Sequence, residues 1–87
     1  MEHNFRLGQQ VKLKAFNGIL VALKRPNVGE DYWKLIGHKG KIVSVSPPKG
    51  VSEDRVLIQF DQDITALGLV CHNVILNSLW IKVEDIM

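Results

Sequence analysis

Eleven consecutive residues, Gly37-His38-Lys39-Gly40-Lys41-Ile42-Val43-Ser44-Val45-Ser46-Pro47, constrain this chain more than any other stretch. A glycine-punctuated turn runs straight into a β-branched strand and stops at proline. Glycine supplies the backbone freedom of a tight turn, and Val and Ile fit a pleated, half-buried surface. The pattern predicts a small β-barrel, an architecture that more often binds than catalyses.

At 87 residues the chain supports one domain, residues 1–87. A domain of this size buries only about 60–65% of the surface its unfolded chain exposes, so the core is thin. The apolar fraction of 46% argues against disorder, and 23% charged residues keep the surface soluble. No apolar run approaches the ~20 residues of a membrane helix, and Met1-Glu2-His3-Asn4 lacks the stretches of a signal peptide. The expectation is a cytoplasmic protein with no membrane partner. The single cysteine, Cys71, cannot form an internal disulfide and reads as a core thiol in a reducing compartment.

Net charge is +2, unevenly spread: residues 1–50 hold nine Lys/Arg against three Asp/Glu, and residues 51–87 hold two against six. Either the fold gathers these into a basic and an acidic edge, or it mixes them over a solvated surface.

Val11, Leu13 and Ala15 alternate with polar neighbours across Gln10–Phe16, the period of two that marks a half-buried strand. Gly18 to Arg25 is apolar on both faces and stopped by Pro26, so strand and short helix both remain open. Asn27 to Leu35 has the composition of a long loop or a helical turn capped near Asp31. Lys41–Ser46 and Arg55–Asp61 read as an antiparallel pair, with Val56, Ile58 and Phe60 on one face. An apolar stretch from Leu67 to Leu76 is broken by Gly68 and Asn73. Ser78–Glu84 then closes the chain with Leu79, Ile81 and Val83 inward and Trp80 on the opposite face. The total is about five antiparallel strands and little helix.

Three segments, Gly8-Gln9-Gln10-Val11-Lys12-Leu13, Gly37-His38-Lys39-Gly40-Lys41-Ile42-Val43-Ser44-Val45 and Val56-Leu57-Ile58-Gln59-Phe60, together resemble the KOW and SH3-like barrel pattern. The closing Leu79-Trp80-Ile81-x-x-x-Asp85-Ile86 is similar to the last strand of such barrels. The resemblance implies a mostly β fold: one SH3-like barrel of about five antiparallel strands that binds RNA or a protein through its loops. The chain departs from that pattern by an inserted loop or short helix around residues 17–36.

Chemistry finds little support. Neighbours on a strand point to opposite faces, which separates Cys71 from His72. One cysteine and three scattered histidines lack the spacing of a zinc site. Asp61-x-Asp63 reads as a solvated turn, and the glycines at 37 and 40 precede a strand where a phosphate loop needs a helix. The expectation is a protein without enzyme activity, metal or cofactor.

Binding has better candidates. Lys12 and Lys14 share the outward side of the first strand, and Lys39 and Lys41 flank the glycine turn, so four ammonium groups are available to phosphates. Tyr32 and Trp33 are candidates for base stacking, or else anchor the insertion to the core. Trp80, with Leu57 and Ile42 on second faces, forms an apolar patch that is either an interface or a seat for the insertion. Two functions follow: a binding module docking onto protein or RNA, or a stand-alone immunity or inhibitor protein that occludes a toxin or enzyme. A protein partner, a nucleic acid and a homodimer are all compatible with these residues.

Overall fold

Alternation of inward apolar and outward polar side chains builds one antiparallel sheet from strands β1 (Gln10–Lys12), β2 (Lys39–Ser44), β3 (Arg55–Phe60) and β4 (Ser78–Lys82). The computed structural model describes residues 5–20, 22 and 29–87, and the strands lie in chain order, each paired with the next. Short 3₁₀ turns cover Tyr32–Leu35, Ile64–Leu67 and Val83–Asp85. Among the described residues no helix is long and apolar enough to cross a membrane.

The mostly β, antiparallel character follows the sequence pattern; where about five strands in a barrel were expected, the described residues form four, in a sheet that does not close into a barrel. Three physical reasons account for the difference. β1 pairs with β2 only over three residues. The chain beyond it turns to the C-terminal segment instead, through a bridge between Leu13 and Ile86 and reciprocal bonds of 3.0 Å joining Lys12 and Met87. The broken apolar stretch from Leu67 to Leu76 adds no strand: Asp63 caps the preceding 3₁₀ turn by accepting from the Thr65 amide, and Gly68 ends it at φ 79°. Gly18 does not begin a strand either. Asn17 and Gly18, at φ 52° and 78°, form a two-residue turn between Phe16 and Ile19, which exchange bonds of 3.0 and 3.2 Å. Positive φ at both central residues is what a type I′ hairpin requires, and Asn-Gly favours it. The choice between strand and helix for the rest of 18–25 lies outside the described residues.

One face of the sheet makes the core. Val11, Ile42, Val56, Ile58, Phe60, Leu79 and Ile81 point inward and meet Leu13, Leu35, Ile64 and Ile86. Ile42 therefore belongs to the core face, opposite Ile58, and not to the second face with Trp80. A register shift between Ile42 and Ser44 breaks the alternation of β2 and brings Ser44 opposite Leu57.

The insertion packs through its rings. Phe16 meets Trp33 edge-on with centroids 4.9 Å apart and Tyr32 at 5.7 Å. Tyr32 is buried, and its hydroxyl donates to the Val70 carbonyl at 2.6 Å. Burial, then the negative charge of Glu30 and the Cys71 sulfur, push this phenol above the ordinary tyrosine pKa. A raised folded-state pKa means that the phenol's contribution is complete below the unfolded pKa and is lost as pH rises through the folded value. Melting temperature should fall in that alkaline window, and Tyr32→Phe should flatten that part of the fall. An identical alkaline slope in both proteins would refute the assignment.

Candidate binding face

The second face of the sheet carries the charge. With Val11 and Leu13 buried, Lys12 and Lys14 point to the opposite side, and with Gly40 and Ile42 buried, so do Lys39 and Lys41. Pairing then sets them together: Lys12 stands opposite Lys39 and Gln10 opposite Lys41. Lys41 faces Gln59, and Gln59 faces Ser78, which extends a polar row across all four strands. Like charges directly opposite on neighbouring strands destabilise a sheet, and among the described residues no carboxylate pairs with these lysines. Asp61, whose amide bonds the Lys39 carbonyl at 2.9 Å, accepts from Gln10 Nε2 at 3.2 Å. Gln10, Val11, Lys12, Lys39 and Met87 line an open depression of about 400 Å³.

Trp80 shares this face. It stands opposite Leu57, which is buried yet outside the main core, so the partly buried Trp80 lies beside an apolar side chain on a polar sheet. Its carbonyl accepts from Arg55 Nη1 at 3.0 Å, while Arg55 Nη2 donates to Asn17 Oδ1 at 3.0 Å. Lys82 stands opposite Arg55 and adds a further cation. With strands about 4.8 Å apart and about 3.4 Å of rise per residue, the Lys41 and Trp80 backbones lie about 12 Å from one another.

The structure thus gathers Lys12, Lys39 and Lys41 with Trp80 on one sheet face, and places Lys14 just past β1 with its amide bonded to the Asp85 carbonyl at 2.8 Å. Tyr32 and Trp33 do not join them. Tyr32 is buried in the core cluster, and Trp33, partly buried with its ring edge-on to Phe16, lines a separate open depression with Leu20, Ala22, Asp31 and Lys34. The Trp33 indole nitrogen is buried with no acceptor among the described residues. Gln59 lies on the second face as the parity of its strand predicts, and Gln10 and Lys82 join it by the same parity though they were not among the expected binding residues.

Cys71 and His72 lie outside any strand, so strand geometry is not what decides their relation. The Cys71 Sγ lies 3.6, 3.4 and 3.6 Å from the carbonyl oxygens of Asn73, Ile75 and Ser78, and His72 is exposed. Among the described residues, no group of three or more His, Cys, Asp or Glu side chains is placed to hold a metal ion. No family model, curated protein or solved structure matches this chain.

Proposed function

We propose that this chain is a non-enzymatic docking module of the SH3-like type, and that the outer face of its sheet binds single-stranded RNA. Support for the fold reading comes from the four-strand meander and from the clasp that joins residues 12–14 to 85–87. The binding reading rests on one observation above others: Lys12 and Lys39 stand opposite each other, next to Lys41, on the face that also carries Trp80. A polyanion relieves the repulsion between the lysines, and an indole offers any base a stacking surface. A single strand fits this combination better than a duplex, whose bases are already stacked on one another.

The test is fluorescence anisotropy of a labelled oligouridine against the full chain over a range of salt concentrations. Each phosphate contact to a single strand contributes about −0.7 to the slope of log affinity against log salt. Replacing Lys12, Lys39 and Lys41 by Gln should therefore flatten the slope by about 2. Trp80→Ala should weaken binding by about 1–3 kcal/mol and leave the slope in place. An unchanged slope in the lysine variant, or no binding by the wild-type chain at low salt, overturns the reading.

A further inference from the structure

Of the five asparagines in the chain, only Asn17 is followed by glycine. In that pair a backbone most easily attacks its own side chain, because glycine has no Cβ to crowd its nitrogen. The Gly18 nitrogen gives its proton to hydroxide and bonds to Cγ of Asn17, the Cγ–Nδ2 bond breaks, and ammonia leaves with a proton taken back from water. Water then opens the five-membered imide at either carbonyl, leaving aspartate or isoaspartate. Nothing is oxidised or reduced, and water is the only co-reactant.

In the folded chain both reacting groups are held. Asn17 and Gly18 are exposed, so water reaches them, and it is hydrogen bonding that restrains them. The Gly18 amide donates to Asp85 Oδ1 at 3.0 Å and the Asn17 amide to Oδ2 at 2.9 Å. The Asn17 carboxamide oxygen accepts from Arg55 Nη2 at 3.0 Å, and Arg55 is itself anchored on the Trp80 carbonyl through Nη1. Ring closure needs the Gly18 nitrogen stripped of its proton and the carboxamide turned towards it. Asp85 opposes the first step: the proton is engaged, and a new anion would form beside a carboxylate that is 1% exposed, where like charges disfavour ionisation. Arg55 opposes the second by fixing the carboxamide to β4.

The product does not fit the turn that made it. Isoaspartate routes the chain through the side-chain methylene, which adds an atom to the backbone of a two-residue turn closed by the bonds between Phe16 and Ile19. Asp85 then loses donors to a buried carboxylate, which is costly. The same residue accepts the Lys14 and Ala15 amides at its carbonyl, at 2.8 and 3.4 Å, so the disturbance reaches the clasp. We propose that Asn17 is a latent deamidation site, which Asp85 keeps shut in the folded chain and whose isoaspartate product permanently loosens the turn. Neither step involves the lysine face, so the site stands whether or not the chain binds RNA.

The experiment incubates the full chain in mildly alkaline buffer, folded and in urea, and follows the peptide that carries residues 17 and 18 by mass spectrometry, with isoaspartyl methyltransferase labelling to score isoaspartate. The folded chain should react at least about tenfold more slowly than the unfolded one, the factor that one hydrogen bond to a charged group supplies. Asp85→Asn, which keeps one acceptor, should react about tenfold faster than the folded wild type. Gly40→Ala separates local restraint from overall stability: it is the less stable of the two variants and should still react more slowly than Asp85→Asn. Wild-type chain carrying isoaspartate, separated by chromatography, should melt below the unmodified chain. A folded wild type that reacts as fast as the unfolded one overturns the proposal, as does an Asp85→Asn rate no higher than that of the wild type or of Gly40→Ala. An isoaspartate form with an unchanged melting temperature overturns the loosening of the turn. The two wild-type measurements need no variant, so they decide even where Asp85→Asn does not fold.

Discussion

Asp85→Ala should bring the protein close to unfolding, with a loss of about 3–4 kcal/mol. The carboxylate is 1% exposed, and its two oxygens accept from the amides of Asn17 and Gly18 at 2.9 and 3.0 Å. Hydrogen bonds to a charged group contribute about 1.5–3 kcal/mol each, and an unpartnered donor adds its own desolvation cost. An 87-residue domain holds on the order of 5–10 kcal/mol in total. The same turn carries Asn17, whose Oδ1 receives Arg55, so loss of the carboxylate also loosens the support of β3 and β4. Urea denaturation should show the midpoint falling sharply with the m-value unchanged. Asp85→Asn keeps the volume and one carbonyl oxygen and should lose about half as much. If alanine shifts the midpoint by less than the equivalent of about 1 kcal/mol, Asp85 does not organise the turn.

The second large effect is expected at Gly40, where alanine should cost about 3 kcal/mol, the upper end of overpacking. A Cβ built there would lie 2.5 Å from the Gln59 carbonyl oxygen, 2.8 Å from Ile58 Cγ2 and 3.0 Å from Phe60 Cα. Two of these three atoms are backbone of the neighbouring central strand, so relief requires β2 and β3 to separate. Gly37 is the control. It sits at φ 93° with open space around its Cβ position, so Gly37→Asn, which tolerates that conformation, should cost well under the Gly40 change. Thermal melting of both variants decides the matter, and equal losses would contradict it.

These two positions also show what a sequence can and cannot disclose. Gly37 and Gly40 look alike as punctuation of one turn, yet only Gly37 uses positive φ; Gly40 is in the strand and is small because β3 approaches closely. Distance across a sheet leaves no mark in local composition. The strands with clean alternation, Arg55–Phe60 and Ser78–Lys82, were legible nearly to the residue, because each buries one face. β2 was legible in existence but not in bounds or facing: it runs Lys39–Ser44 rather than Lys41–Ser46, and where Val43 and Val45 compete with Ile42 for the core on apolarity, the register shift after Ile42 decides against them. The segment from Leu67 to Leu76 had no periodicity to read: Leu69 enters the core and Leu67 and Cys71 pack against it, while Val70, Val74, Ile75 and Leu76 are exposed. The Asn17-Gly18 dipeptide carried a readable hairpin signal, whereas the partner of that turn, 67 residues away, did not. For the binding face, Lys12, Lys39, Lys41 and Trp80 came from strand parity, while the packing of Tyr32 and Trp33 against Phe16 left no mark in local composition.

The clasp between residues 12–14 and 85–87 has a consequence for how the protein is assembled. Every pairing within the sheet joins strands adjacent in the chain, but the clasp closes nearly the whole polypeptide into one loop. Loop-closure entropy rises as the logarithm of length, so an unstructured chain would meet a closure cost about 2 kcal/mol greater than for a ten-residue loop. Prior formation of the meander shortens the effective loop and removes most of that difference. The clasp should therefore form after the meander, yet because it buries Leu13 and Ile86 in the core and carries Asp85, the amides of Lys14 and Met87 should resist hydrogen exchange nearly as strongly as those at the centre of β3.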